Sequence, residues 1–345
     1  MSASERHERL RRLAASLCGR EVEALERAGG GGNSRIYRVR CRGRSYALKC
    51  YPPDDRRDRL GTEAQALELM ARRGLAGVPR LLALDRENRV ALMQWMSGRP
   101  PRRLGPRDIE RALEFLAAVK ELSREPGAQN LPAATECCLS AAEVVRQVRL
   151  RLDRLMASLN GHRGLRGFLL DELEPALGRE AARAVEGFRE LGLDFAAELE
   201  PARQCLIPAD FGFHNTLRRP RGGLAFLDFE YFGWDDPVKL VSDFLWHPAH
   251  QGLSEDLRRR FVRGMCRIHR DDPDFPRRLA LSHPLFGLRW CAILLNEFLP
   301  ERWANRAFAG QAQERGQVLA RQLERARGLL ARVSRPAAEL QQGGA

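Results

Sequence analysis

Lysine is nearly absent from this chain. Of its 58 basic residues only Lys49, Lys120 and Lys239 are lysine, and the rest are arginine. Codon bias in a GC-rich genome would trade lysine for arginine, but it does not account for the net charge of +13. The arginines run along the whole sequence, so the expectation is a dispersed, solvated charge. Aromatic interleaving and any recognised nucleic-acid motif are missing, so no nucleic-acid partner is expected. Eight cysteines include no C-x-x-C pair. The adjacent Cys137 and Cys138 suit neither a bridge framework nor a zinc site, which predicts reduced thiols and a cytoplasmic location. No uncharged apolar stretch approaches the ~20 residues that span a bilayer, so no membrane partner is expected. Met1 to Arg12 is dense in charge and has no apolar segment, so no secretory leader is read there. Internal repeats and extended low-complexity segments are missing as well.

What remains is a chain of 345 residues, 44% hydrophobic and 30% charged, enough for a buried core and two lobes. Leu10 to Leu17 has amphipathic helical spacing. Glu23–Ala28, Arg35–Cys41 and Ser45–Tyr51 read as strands, separated by Gly29-Gly30-Gly31-Gly32-Asn33 and by Arg42-Gly43. Leu60–Arg73 reads as a helix closed by Gly74. Leu81–Leu84 and Val90–Trp95 read as two more strands. Ser97-Gly98-Arg99-Pro100-Pro101 breaks the pattern, which places a lobe boundary between 96 and 97. From there the chain is mainly helical, with Asp108–Leu122 and Ala141–Leu159 at helical apolar spacing and a helical insert over 124–203. Leu206–Ala209 and Leu224–Phe229 are short strand-like runs around a polar loop. The expected fold class is α+β, a small strand-rich lobe (1–96) followed by a large helical lobe (97–345).

The polar loop carries the chemistry. It reads Asp210-Phe211-Gly212-Phe213-His214-Asn215 and is followed by Asp228-Phe229-Glu230. Phosphoryl transfer needs a carboxylate to orient the attacking hydroxyl and oxygen ligands to hold magnesium on the phosphates. An Asp with an Asn five positions on can supply both from one loop, and a second Asp completes a magnesium site of one or two carboxylates. Asp210, Asn215 and Asp228 fit those roles. Earlier in the chain, Lys49 ends the alternating run Tyr46-Ala47-Leu48-Lys49. Leu60, Glu63, Leu67 and Met70 share one helical face, so Glu63 falls inside an apolar stripe and needs a cationic partner, for which Lys49 is the candidate. Glu68 faces elsewhere.

The combined pattern resembles the aminoglycoside phosphotransferase and choline kinase family, relatives of the protein kinase fold. Its signature is His-Gly-Asp, an Asn after four further residues, Asp-Phe-Glu, Gly, Asp-Pro and Asp. Here the matching residues are Asp210, Asn215, Asp228-Phe229-Glu230, Gly233, Asp236-Pro237 and Asp243. The resemblance implies a protein kinase-like two-lobe fold, ATP and magnesium as cofactors, Asp210 as catalytic base, and Asn215 and Asp228 as metal ligands. It implies Lys49, paired with Glu63, on the nucleotide phosphates, and backbone amides of Gly30, Gly31 and Gly32, with Asn33, over them; no Walker G-x-x-x-x-G-K-[ST] is present. Gln94 and Met96 are then the expected adenine contacts. The family's His-Gly, whose histidine braces the loop, is replaced by Pro208-Ala209, which leaves a non-catalytic nucleotide-binding pseudokinase as the alternative.

The expected partner is a small-molecule hydroxyl acceptor. A polycation needs clustered carboxylates to offset its desolvation, whereas this chain carries +13. A sugar-like, neutral or anionic acceptor is therefore expected ahead of an aminoglycoside or amino alcohol. Asp171, Glu172 and Glu174 are the insert residues that could still gather around a cation. His214 reads as structural. His247 and His250 have no metal-ligand partners at useful spacing. Arg289 to Phe298 reads equally as a pocket lining or a capped core helix.

Overall fold

The computed structural model describes residues 3–30, 34–52, 57–159, 161–301, 314–335, 337 and 340. Strands β1 (Ala24–Gly30), β2 (Arg35–Cys41), β3 (Arg44–Cys50), β4 (Leu81–Asp85) and β5 (Val90–Gln94) form one antiparallel sheet in the order β1-β2-β3-β5-β4. Arg42 and Gly43 join β2 to β3 with φ of 47 and 70, the two left-handed positions of a tight hairpin turn.

The sheet is covered on both faces, and period-2 alternation decides which side chain goes where. Leu48, Val90 and Leu92 turn to one face with Val39 and Ala14 of helix α1 (Ala3–Cys18). Ala91 and Met93 turn to the other, with Leu67 and Met70 of α2 (Arg59–Arg72). That second face continues without a break into the core of the helical half, through Leu113, Phe115, Phe211 and Phe226. Lys49, beside Leu48, therefore points toward α2 and the junction of the two halves.

The helical half contains α3 (Pro106–Leu122), α4 (Ala141–Ala157), α5 (Arg163–Gly167), a π-turn at Phe168–Leu173, α6 (Glu174–Glu190), α7 (Pro237–Trp246), α8 (Glu255–Ile268), α9 (Phe275–Leu294) and α10 (Arg315–Val333). Their starts follow cap chemistry: Ser140 accepts from the Glu143 amide, and Asp236 accepts from the Val238 amide with Pro237 in the first turn.

Two three-residue strands went unread in the sequence. β6 (Cys205–Ile207) pairs with β9 (Gly233–Asp235), and β7 (Thr216–Arg218) pairs with β8 (Leu224–Phe226). Neither β7 nor β9 is long enough to show alternation. The strand expected over Leu224–Phe229 stops at Phe226, and two residues later Asp228 adopts φ 69. Gly233 is required where it stands, because a side chain there would run into the Pro132 carbonyl and the Ala134 amide. The arginines are not evenly dispersed either: Arg99, Arg102, Arg103, Arg218 and Arg219 line one groove beside the β7–β8 hairpin.

Four histidines are held neutral by burial. It pushes His250, His269 and His283 down to about 3 and His247 to about 4. The unfolded chain takes up these protons below its ordinary imidazole value near 6.5, so stability is present above that value and is lost as pH falls. Asp228 and Asp236, both raised to about 6 chiefly by burial, act oppositely and gain stability on acidification. Four histidines outnumber these two and Asp235, whose carboxyl burial also raises, and the histidines act first. The melting temperature should therefore fall steadily from pH 7 to pH 5 in thermal unfolding; a flat or rising profile would contradict the assignment.

Candidate active site

Lys49 is 4% exposed and stands among three carboxylates. Its Nζ donates to Glu63 Oε2 at 2.6 Å and to Asp228 Oδ1 at 2.7 Å, and lies 3.0 Å from Glu230 Oε2. Burial alone would depress the ammonium; Glu63 and Asp228 outweigh it and hold the pKa well above the ordinary value. Glu63, 1% exposed, also accepts from the Tyr51 hydroxyl at 2.6 Å and from the Phe229 amide at 3.1 Å. Through this one carboxylate α2 grips both the lysine and the Asp228 loop. Glu230 accepts from Ser34 Oγ at 2.8 Å, and Arg59 lies 3.6 Å away.

The opposing wall is the loop after β6. Asp210 is partly exposed at its start. His214 Nε2 lies 3.2 Å from Asp210 Oδ1. Asn215 Nδ2 donates to the Asp210 backbone carbonyl at 3.0 Å and to its Oδ2 at 3.3 Å. Burial raises the Asp210 pKa, but the hydrogen bond to His214, the neighbouring imidazoles and Asn215 bring it below the ordinary carboxylate value. The Leu227 amide donates to the Asn215 carbonyl at 2.9 Å, which sets Asn215 beside the approach to Asp228. Phe211 anchors the loop by stacking near Phe115, Phe226 and Phe244.

A histidine from elsewhere braces this loop. His250 is fully buried, its Nε2 accepts from the Phe213 amide at 3.0 Å, and its Nδ1 lies 2.7 Å from the Phe244 carbonyl. Donor and acceptor are both satisfied, so the ring ties the loop to α7 where Pro208-Ala209 offers no side chain for the task.

The expected residues therefore fall into three sets. Lys49, Glu63 and Asp228 meet directly, and Asp210 and Asn215 meet on the facing loop. Gly30 closes β1 opposite Arg35, while Gly31, Gly32 and Asn33 lie outside the described residues. Met96 is buried, and the Gln94 backbone amide is already donated to the Arg80 carbonyl at 2.8 Å. Glu230, Ser34, Tyr51 and Arg59 were missed, although Glu230 sits in the Asp-Phe-Glu run and Ser34 directly follows the glycines. His247, read as having no metal-ligand partners at useful spacing, stacks on His214 with ring centroids 4.0 Å apart. Asp210, His214 and His247 each offer an atom within 4.8 Å of the others. Folding made that group, so no local spacing announced it.

Asp171, Glu172 and Glu174 make no hydrogen bond or ion pair to Asp210 or its loop among the described contacts, and Glu172 pairs with Arg327. Arg289, from the segment left open between two readings, is a buried ion-pair residue holding Asp243 at 3.0 Å and Glu136 at 2.6 Å.

The family model for the phosphotransferase enzyme family (APH) matches residues 24–281. No curated protein matches the sequence significantly. Among solved structures, choline kinase LicA from Streptococcus pneumoniae is similar with a TM-score of 0.60 at 15% identity, over 95% of this chain and 99% of that one. The spectinomycin phosphotransferase APH(9)-Ia, in complex with ADP and spectinomycin, has a TM-score of 0.61 at 12% identity, over 93% and 98%. Ethanolamine kinase from Plasmodium vivax has 0.54 at 13%, over 89% and 83%. The fold is the protein kinase-like one, a small sheet lobe on a large helical lobe.

Proposed function

Because this chain belongs to the APH phosphotransferase enzyme family, we propose that it moves the γ-phosphoryl group of ATP to a hydroxyl of a small molecule, with Lys49, Asp210, Asn215 and Asp228 as its working residues. The carrying observation is the crowding of Glu63, Asp228 and Glu230 around one lysine, opposite the linked pair Asp210 and Asn215. Two buried carboxylates and the half-buried Asp228 against Lys49, with Arg59 at 3.6 Å from Glu230, leave the site short of positive charge. Asp228 registers the shortage: burial, with Glu63 and Glu230 nearby, lifts it to about 6 despite Lys49. Asn215 and Asp228 are the oxygen ligands that fit a magnesium ion, which when bound would neutralise charge on the phosphates.

The remaining chemistry belongs to the chain. Lys49, fixed by Glu63, contacts the α- and β-phosphates. Asp210 accepts the proton of the attacking hydroxyl as its oxygen bonds to the γ-phosphorus and the bond to the leaving ADP oxygen breaks. His214 and Asn215 hold the two Asp210 oxygens in place for that transfer. The Gln94 carbonyl and Met96 flank the adenine. Residues 1–96 form the nucleotide lobe and 97–345 the acceptor lobe. A neutral or anionic acceptor is favoured. The pseudokinase alternative drew on the absent brace at Pro208-Ala209, and the His250 clamp supports the catalytic reading instead.

The experiment is nucleotide binding with and without magnesium, joined to an acceptor screen across sugars, polyols, amino alcohols and aminoglycosides. Asp228→Asn should raise the magnesium needed for tight nucleotide binding by about tenfold or more and leave magnesium-free binding little changed, since it removes one charged ligand. Identical magnesium titrations for both proteins would remove Asp228 from the metal site.

A further inference from the structure

We infer that the acceptor is a vicinal diol, a sugar or polyol whose reacting hydroxyl lies on Asp210 while its neighbouring oxygen is held by the Nε2–H of His247. The inference rests on the reading of Asp210 as the residue that orients the acceptor hydroxyl.

The tautomer comes from the backbone. The Ala249 amide donates to His247 Nδ1 at 3.1 Å, so Nδ1 is the accepting nitrogen and the neutral ring carries its proton on Nε2. Among the described residues that Nε2–H has no protein partner, and it is not one of the sealed, unsatisfied polar atoms. It is an open donor on an otherwise enclosed ring.

The ring is also held still. One face stacks on His214 at 4.0 Å and 12°. The Trp290 ring stands edge-on to it at 4.9 Å and 88°, His250 lies at 5.5 Å, and the Trp290 indole N–H is tied to Asp243 at 2.8 Å. A donor immobilised before binding loses little freedom when a ligand arrives.

Location and charge then select the ligand. Asp210, His214 and His247 each offer one ligating atom within 4.8 Å of the others, a gap that two neighbouring hydroxyls can bridge when each is hydrogen-bonded to one of the groups. One of the two groups, Asp210, accepts, and the other, His247, donates. A diol satisfies both: one hydroxyl gives its proton to Asp210 and the next oxygen receives from His247. An amino alcohol would set an ammonium against an N–H donor. Asp243, behind the ring, offers it no relief, since it is taken by Arg289, Lys239 and Trp290. A transition metal would need the Nε2 lone pair, which forces the ring proton onto Nδ1 against the Ala249 amide.

The test compares acceptors that differ by one oxygen and so lose the vicinal pair: ethylene glycol with ethanol, glycerol with 1,3-propanediol, and 1,2-cyclohexanediol with cyclohexanol, alongside choline and ethanolamine. The wild-type protein should favour the diol member by about tenfold or more in kcat/KM, the scale of one hydrogen bond. His247→Asn keeps a side-chain acceptor for the Ala249 amide but withdraws the donor. It should raise KM for the diols by about tenfold, leave KM for ATP unchanged, and leave the deoxy members at their already poor values. His247→Gln, which reaches as far as Nε2, should recover most of the loss. Equal losses on diol and deoxy acceptors, or efficient transfer to choline or ethanolamine with none to diols, would overturn the inference and leave the proposed phosphotransferase activity standing. Tight magnesium-dependent ATP binding with transfer to no acceptor would overturn both.

Discussion

Asp210→Asn should lower the rate of phosphoryl transfer by about 10²–10⁴-fold, the range general-base removal costs, while nucleotide affinity stays within a factor of a few. The substitution is close to isosteric, and an asparagine oxygen can still accept from His214, so the loop should keep its shape. What it loses is the capacity to take the hydroxyl's proton. The ATP side of the cleft is built from other residues: Lys49 is bonded to Glu63 and Asp228, and none of these touches the Asp210 side chain. Single-turnover rates and equilibrium nucleotide binding, measured on the same preparation, separate the two effects. A variant that turns over at the wild-type rate would remove Asp210 from the chemistry; one that loses nucleotide binding in step with rate would make it a structural residue.

Lys49→Arg should be the second most damaging change, with kcat/KM falling by about 10²–10³-fold, as when one preorganised electrostatic donor is lost. Arginine is the residue this chain uses nearly everywhere else, which makes the comparison severe. The site is shaped for a compact ammonium that meets Glu63, Asp228 and Glu230 at 2.6–3.0 Å while 4% exposed. A planar guanidinium cannot place one nitrogen among three converging oxygens without displacing Tyr51 or the Asp228 loop. Lys49→Met goes further, leaving the buried Glu63 and Glu230 and the half-buried Asp228 without this cation, and should also destabilise the fold by about 3–5 kcal/mol. Calorimetry on both variants beside kinetics tells the cases apart: arginine should cost activity with a small loss of stability, methionine both. Full activity in Lys49→Arg would mean the ammonium is not a specific phosphate contact.

The other two lysines extend this point. Lys239 is 1% exposed between Asp235 at 3.4 Å and Asp243 at 3.5 Å, and Lys120 donates to the Ile268 carbonyl at 2.8 Å and pairs with Asp271. Each of the three lysines is thus committed to named partners. The scarcity of lysine is informative about where ammonium geometry is used, and Lys49 differs from the others by facing the cleft rather than by being retained.

The sequence by itself determined the order of elements, the sheet lobe ahead of the helical lobe, and singled out Lys49, Glu63, Asp210, Asn215 and Asp228 as candidates. Those inferences work because each depends on short-range order. Strand alternation puts Lys49 and Leu48 on opposite faces, helical spacing puts Glu63 in an apolar stripe, and the loop from Asp210 to Asn215 is six consecutive residues. Tertiary structure decided everything that joins distant segments. Ser34 meets Glu230 across 196 positions, Glu63 takes the Phe229 amide across 166, and His250 reaches back 37 residues to the Phe213 amide. The stacking of His247 on His214 belongs to the same class. Such contacts leave no periodic trace, because they arise where α7 and the loop after β6 converge on a shared aromatic core, and only the packed chain sets that distance.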